Sequence, residues 1–290
     1  MLGYGIVAAI SLLLGKRTVA TLSSGACIAI MIFLSPHISS ESMVGNFSSG
    51  QTNFRVAHFN VLGSNKQYDA IAERAISSEA AVLSFQELDV NWVNQLVSRL
   101  ETVYPYYNFV MGKPHGVAVF SKYPLQNVDV YFWYGKPTIV GDILFPNTSS
   151  QHQLASLSSV SPIADSTKIH FVATHTLSPR TQDRYQKRNQ HLEAVADYLS
   201  QIDRPVLVMG DFNIVPWSPT MVEMKEKAHL QDSRKTITPT YPSDFKLGGI
   251  PIDYILYSSQ LQCIQFNSME TEGSDHRGVI GTYCLKQSTL

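Results

Sequence analysis

Charge is scarce in this chain. Only 16% of its 290 residues are Asp, Glu, Lys or Arg, and 22 basic side chains against 23 acidic ones leave a net charge of -1. Binding along a nucleic-acid backbone rests on a basic face that displaces condensed counterions, and the bulk count offers no such excess. Cysteine is scarcer still. Three cysteines exclude a scaffold held together by disulfides. Cys27 lies in an apolar segment, which leaves Cys263 with Cys284 as a pair open to a domain outside the cytoplasm; two ordinary buried thiols are equally compatible. No internal repeat is visible. A chain of this length that is 44% hydrophobic suits one large domain, or one domain with an appendage.

The appendage is the N-terminus. Leu2 to Leu14 is apolar, Gly15-Lys16-Arg17 follows, and Thr18 to Ile38 contains no charged residue. A run of that length is enough to span a hydrocarbon core. Positive residues tend to stay cytoplasmic, so residues 1–38 are expected to be a membrane anchor of one or two apolar helices. Everything after Ile38 would then lie outside the cytoplasm, periplasmic or extracellular. A cleaved signal peptide carries its charges ahead of the apolar stretch, whereas here they follow it. Residues 39–53 (SSESMVGNFSSGQTN) are polar, Gly/Ser-rich and patternless, which reads as a linker. The main domain is 54–290.

Its most informative stretch is Pro205 to Asn213, PVLVMGDFN. Four apolar residues ending in turn formers read as a strand covered on both faces. Gly210 is expected to turn the chain sharply. Asp211 and Asn213, two residues apart, would then share a face and address one centre. The plainer reading of that tetrapeptide is an Asp/Asn turn that closes a strand.

Strands are expected at Phe54–Val61, Ala80–Phe85, Tyr106–Met111, Gly116–Ser121, Val128–Trp133, Ile139–Leu144, Leu154–Val160, Lys168–Thr174, Ile252–Tyr257, Gln262–Asn267 and Gly278–Leu285. Helical spacing runs over Lys66–Ser78 and Gln182–Ser200, with shorter helices capped by Asp89 and begun at Ser218. Many strands with a few interspersed helices suggest an α+β layered sandwich.

Polar residues recur where these strands end: Asn60, Glu87, His175, Asp211 with Asn213, Asp253, and Asp275-His276. One such residue is usually a cap; a series at separate strand ends fits a site better. The chemistry it suggests is metal-assisted hydrolysis. A hard divalent ion such as magnesium or manganese takes oxygen ligands, for which Glu87 and Asp275 are candidates. A histidine held by a carboxylate can take a proton from water, as His276 with Asp253 can. Asn60, Asn213 and His175 can donate hydrogen bonds to phosphoryl oxygens. Arg180, Arg184, Lys187 and Arg188 form either a solvated helix face or a cationic rim for a phosphate, with Arg180 the foremost contact. His115 sits on a loop that can border a cleft. His58 and His170, inside strands, read as structural, and Trp133, Trp217 and the tyrosines as packing.

N-V-L after the first strand, S-F-Q-E, G-V-A-V-F-S-K-Y-P-L, T-H-T, G-D-F-N, P-I-D-Y and S-D-H-R occur here in that order. Together they resemble the endonuclease/exonuclease/phosphatase (deoxyribonuclease I-like) superfamily, over about Phe54 to Leu285. The resemblance implies a four-layer α/β/β/α sandwich with its site at one edge of two sheets. It implies Glu87 as the principal metal ligand with Asn60 assisting, and Asp275 holding metal or site geometry. His276 would be general base or phosphate ligand, Asp253 would orient it, and Asp211 would position or deprotonate the water. Asn213 and His175 would contact the phosphate. His175 resembles the deoxyribonuclease, sphingomyelinase and phosphatase branches more than the exonuclease III branch. The apolar N-terminus and the Pro239-Thr-Tyr-Pro242 segment resemble a membrane-anchored bacterial subgroup of YafD-like proteins, from which Tyr254 after P-I-D departs.

The expectation is therefore a membrane-anchored, metal-dependent phosphoesterase. A lipid-linked or small phosphoester is its favoured substrate, and no protein partner is implied. A nuclease acting on DNA or RNA is the first rival. The second is a binding module that keeps the fold without catalysis, which would need no complete hydrolytic set.

Overall fold

The computed structural model describes residues 7, 10–12, 14, 17–34, 53–146, 166–244 and 249–286. The chain divides into two compact units, Met1–Ser42 with Lys235–Ile237, and Met43–Arg234 with Thr238–Leu290.

In the first unit, helix α1 (Arg17–Leu34) covers the described part of the expected spanning segment. Arg17, Thr18, Thr21, Ser23 and Ser24 dilute its apolar character. Among the described residues no helix is long and apolar enough to cross a membrane, so the structure does not support the expected spanning helices. Most of Leu2–Leu14, nearly all of the linker over 39–53, and the strand expected at Leu154–Val160 lie outside the described residues.

The second unit runs β1 (Phe54–Asn60), α2 (Tyr68–Ser77), β2 (Val82–Leu88), α3 (Val90–Leu100), β3 (Tyr106–Val110), β4 (Gly116–Ser121), β5 (Leu125–Trp133), β6 (Lys136–Pro146), β7 (Ser166–Thr174), α4 (Gln182–Leu199), β8 (Val206–Asp211), α5 (Pro219–Lys227), β9 (Leu230–Asp232), β10 (Asp253–Ser258), β11 (Leu261–Met269) and β12 (Gly278–Leu285). Two six-stranded sheets result, in the orders β11-β12-β1-β2-β4-β3 and β5-β6-β7-β8-β10-β9.

Strand alternation sorts side chains into three apolar layers. Val56, Val82, Val119, Ile139, Phe171, Met209 and Ile255 fill the space between the sheets. Ala57, Phe59 and Phe85 face the other way, against Ile71 and Ala75 of α2 and Trp92 and Leu96 of α3. Val172, Val208 and Leu256 do the same on the second sheet, under Leu192 and Val195 of α4 and Met221 of α5. The layers are thus helix, sheet, sheet, helix, as expected. Asp89 caps α3 by accepting from the Trp92 amide at 2.7 Å, a contact worth about 1 kcal/mol.

One expectation needs correction. The chain does not turn at Gly210, which pairs with Tyr254 inside β8. Glycine is required there because a Cβ would sit 1.9 Å from the Thr174 carbonyl oxygen. Of the two readings open for Cys263 and Cys284, the structure bears out two buried free thiols. Cys263 lies opposite Tyr283, and Gln262 opposite Cys284. Neighbouring residues on a strand point to opposite faces, so the two thiols lie on different sides of the sheet.

Candidate active site

β1 runs parallel to β2, and β7 parallel to β8. Parallel strands bring their carboxyl ends to one edge, which places Asn60, Glu87, His175 and Asp211 together. β10 is antiparallel to β8, with Asp253 opposite Asp211, so it starts where β8 ends. β12 is antiparallel to β1 and begins just after His276. Six distant pieces of sequence thus meet at one rim.

Local backbone aims these side chains. In the β2–β4 ladder Gln86 pairs with Val117 and Leu88 with Gly116, leaving Glu87 as the extra residue of a bulge at φ +63°. Bulges re-aim a side chain, and a glutamate held at positive φ costs about 1 kcal/mol. Asn213 sits at φ +50°, and its amide donates to Asp211 Oδ1 at 2.9 Å. The two side chains therefore share a face through an Asx turn beyond the strand, not through strand alternation. Gln86 stitches the sheets: its Oε1 accepts from the Asp211 amide at 2.8 Å, and its Nε2 donates to the Thr174 carbonyl.

Asp211, 1% exposed, is the hub. Its Oδ2 accepts from Asn60 Nδ2 at 3.1 Å and Asn213 Nδ2 at 3.2 Å, and lies 3.5 Å from His175 Nε2 and 3.8 Å from His276 Nε2. Asn60 Nδ2 also reaches Glu87 Oε1 at 3.3 Å, tying the two carboxylates together. Asp253, fully buried, holds His276 Nδ1 at 2.9 Å with one oxygen and His58 Nε2 at 3.2 Å with the other. The Tyr241 ring packs against His276 at 4.8 Å. Glu87, His175, Asp211, Asn213 and His276 open onto a cleft of about 420 Å³ whose lining also includes Lys136, Arg180 and Asp275.

Burial and neighbouring charge drive the protonation states apart. Burial pushes the Asp211 carboxyl up to about 7; His276 opposes the rise and Asp253 adds to it. Burial disfavours charge on His276 too, but the Asp253 and Asp211 carboxylates outweigh it and raise the imidazole to about 10. Burial would raise Asp253, yet His276 and His58 hold it well below the usual carboxylate range. His175 is pushed far down by burial, with the Lys136 charge next, and stays neutral. Burial also raises Asp275.

Of the residues singled out from sequence, Asn60, Glu87, His175, Asp211, Asn213, Asp253 and His276 form one connected cluster. Asp275 and Arg180 line the cleft without a direct contact to it. His115 borders the cluster, its Nδ1 3.8 Å from Glu87 Oε2. The sequence reading took His58 as structural and passed over Gln86 and Lys136. His58 shares the Val56 and Asn60 face by strand alternation, a signal that was there to be used. Gln86 lies inside the S-F-Q-E motif. Lys136 had no signal, being a lone cation at a strand start.

The donor set fits a hard divalent cation. Glu87, His175 and Asp211 offer ligand atoms within 4.8 Å of one another, as do Asp211, Asp253 and His276. The first group carries two carboxylates at the cleft, and oxygen donors of that kind suit magnesium or manganese. Burial first, then the Asp253 and Glu87 charges, push the Asp211 carboxyl up, and an added cation would relieve that.

Residues 57–276 match the endonuclease/exonuclease/phosphatase family. The chain belongs to that family. The matched segment contains every member of the cluster, from His58 to His276. An endonuclease/exonuclease/phosphatase protein of Beutenbergia cavernae superposes with a TM-score of 0.64 at 17% identity, covering 81% of this chain and 72% of that one. One from Bacteroides vulgatus has the same TM-score and identity, covering 81% and 100%. A mannosyl-6-phosphatase of Bacteroides thetaiotaomicron has a TM-score of 0.58 at 14% identity, covering 79% and 98%. At such identities the likeness is one of fold. Compared with curated proteins, the sequence has no significant match.

Proposed function

We propose that this family member is a metal-dependent phosphoesterase that directs water at phosphorus in a small phosphoester. One observation carries the reading. A carboxyl poised near neutrality, Asp211, faces a carboxylate-held imidazolium, His276, at 3.8 Å across the open cleft. An acid and a base of separated pKa are what hydrolysis needs from a site.

Each residue then has a role. Glu87, kept in place by Asn60, would hold a divalent ion, magnesium or manganese, with Asp275 on the same cleft wall. When bound, that ion supplies Lewis-acid charge to the phosphoryl group. Asp211 accepts the proton of the attacking water. His276 stays charged through Asp253 and donates to a phosphoryl oxygen. Neutral His175 and the Asn213 amide donate to others, and Arg180 meets the substrate at the rim. This differs from a His276 general base, since an imidazole raised to about 10 already carries its proton at neutral pH.

The net charge of -1 and the compact cleft argue against duplex DNA as the main substrate. The test gives the full chain p-nitrophenyl phosphate, bis(p-nitrophenyl) phosphate and plasmid DNA, with magnesium and then with chelator. Metal-dependent turnover of the small esters, lost in Asp211→Asn, supports the reading. Preference for the plasmid would favour a nuclease. No turnover and no metal binding would leave a non-catalytic binding module.

Membership of the membrane-anchored YafD-like subgroup, an extracytoplasmic catalytic domain and a lipid-linked substrate are separate proposals. What supports them is the uncharged run Thr18–Ile38 behind Lys16 and Arg17. A reporter enzyme fused after Leu290 should be active only outside the cytoplasm; activity inside would reject the placement.

A further inference from the structure

Lys136, the first residue of β6, is 4% exposed yet reaches the cleft. Among the described residues its side chain makes no hydrogen bond or ion pair. Burial lowers its pKa, with the Glu87 charge opposing that shift and the Arg184 charge adding to it. Arg184 lines the same cleft, its Nε buried and without a hydrogen-bond partner, and its side chain meets no carboxylate among the described residues. Six other arginines of the domain behave differently. Arg55, Arg74, Arg99, Arg204, Arg234 and Arg277 each meet an acidic side chain. Taking an ammonium out of water without a partner is costly, so an unmatched buried lysine beside an unmatched arginine is a site built for an anion from outside.

We propose that Lys136 and Arg184 form an anion subsite that selects substrates whose phosphate is a terminal, doubly charged monoester. The inference rests on the phosphoester reading above and narrows its substrate class. A phosphomonoester carries close to two negative charges at neutral pH, its second pKa being near 6, whereas a diester carries one. The cluster already offers one cation, His276, and room for a metal. Lys136 and Arg184 supply the further positive charge that a dianion can use and a diester cannot. A cleft of about 420 Å³ suits a small ligand.

The test has two readouts on the full chain with magnesium. The first is binding of inorganic phosphate by calorimetry, in the wild type, Lys136→Met and Lys136→Arg. The second is the ratio of kcat/KM for p-nitrophenyl phosphate to that for bis(p-nitrophenyl) phosphate. Phosphate binding at least tenfold weaker in Lys136→Met, partly restored in Lys136→Arg, with a tenfold fall in the ratio, supports the subsite. Unchanged binding or an unchanged ratio overturns it and leaves the hydrolase reading intact. Lys136-dependent phosphate binding without turnover of either ester keeps the subsite and removes the hydrolase reading. Failure of the wild type to bind phosphate overturns the subsite. If thermal melting shows that Lys136→Met does not fold, Arg184→Gln, at a half-buried position, gives the same two readouts.

Discussion

His276 Nδ1 and Asp253 Oδ2 lie 2.9 Å apart in a buried contact, and the other Asp253 oxygen is engaged by His58 at 3.2 Å. One carboxylate is thus shared by two histidines, one facing the cleft and one between the sheets. The cleft-facing imidazole keeps its proton because of that carboxylate. Asp253→Asn should therefore drop the His276 pKa well below about 10, since burial is then opposed only by the Asp211 and Asp275 charges. An NMR titration of the histidine ring nitrogens reads this directly. A His276 that still titrates near 10 in the variant would reject the pairing as the cause.

Hydrolysis should depend on pH through the same groups. Asp211 acts as a base only when ionised, so kcat/KM rises with pH through a limb no higher than about 7. A cation at Glu87 would pull that limb lower. Activity should fall again near 10 as His276 loses its proton. Asp211→Asn should lose at least about a hundredfold in rate, the scale of a general base. A profile that rises only above pH 8 would rule out Asp211 as the base.

Stability should weaken in mild acid for a separate reason. His191 on α4 is buried against Thr174 Oγ1 at 2.8 Å, and burial lowers its pKa to about 3. Its folded pKa is depressed, so its contribution is intact above the unfolded value of about 6.5. Below that, the unfolded chain takes up a proton that the fold refuses. Stability then falls by up to about 1.4 kcal/mol per pH unit until about pH 3. Denaturant melts of the wild type and His191→Gln between pH 7 and 4 should show a shallower slope in the variant. Equal slopes would remove His191 as a cause.

Gly210→Ala should be severe despite its small size. The added methyl meets the Thr174 carbonyl at 1.9 Å and Gln86 Nε2 at 2.6 Å. Relief requires β8 to move from β7, which breaks the stitch that positions Asp211. A loss of about 3 kcal/mol or more, at the upper end of overpacking costs, is expected in a denaturant melt. A loss under about 1 kcal/mol would mean that the ladder yields easily.

Much of this was legible in the sequence because it depends on local pattern. Gly116–Ser121 and Gly278–Leu285 form strands with the expected bounds, and Asp89 caps its helix as its position suggested. Glu87, Asp211 and His276 were visible as polar residues breaking apolar runs at strand ends. β9, three residues long, is too short to leave a periodic signal. The partner of His58 and the setting of Lys136 were not readable because they are assembled by topology: His58 meets Asp253 across 195 positions of sequence. The Glu87 bulge was unreadable too, since positive φ at a non-glycine residue is imposed by tertiary contacts, whereas the Asn213 turn is the Asp/Asn turn that G-D-F-N suggested.

The central claim, that Asp211 sends water to phosphorus, is tested most directly by hydrolysing p-nitrophenyl phosphate in ¹⁸O-enriched water with magnesium. Mass spectrometry of the released inorganic phosphate should show one ¹⁸O per phosphate, formed by the wild-type chain and not by Asp211→Asn. Phosphate without the label, or labelled phosphate formed equally well by Asp211→Asn, would contradict it.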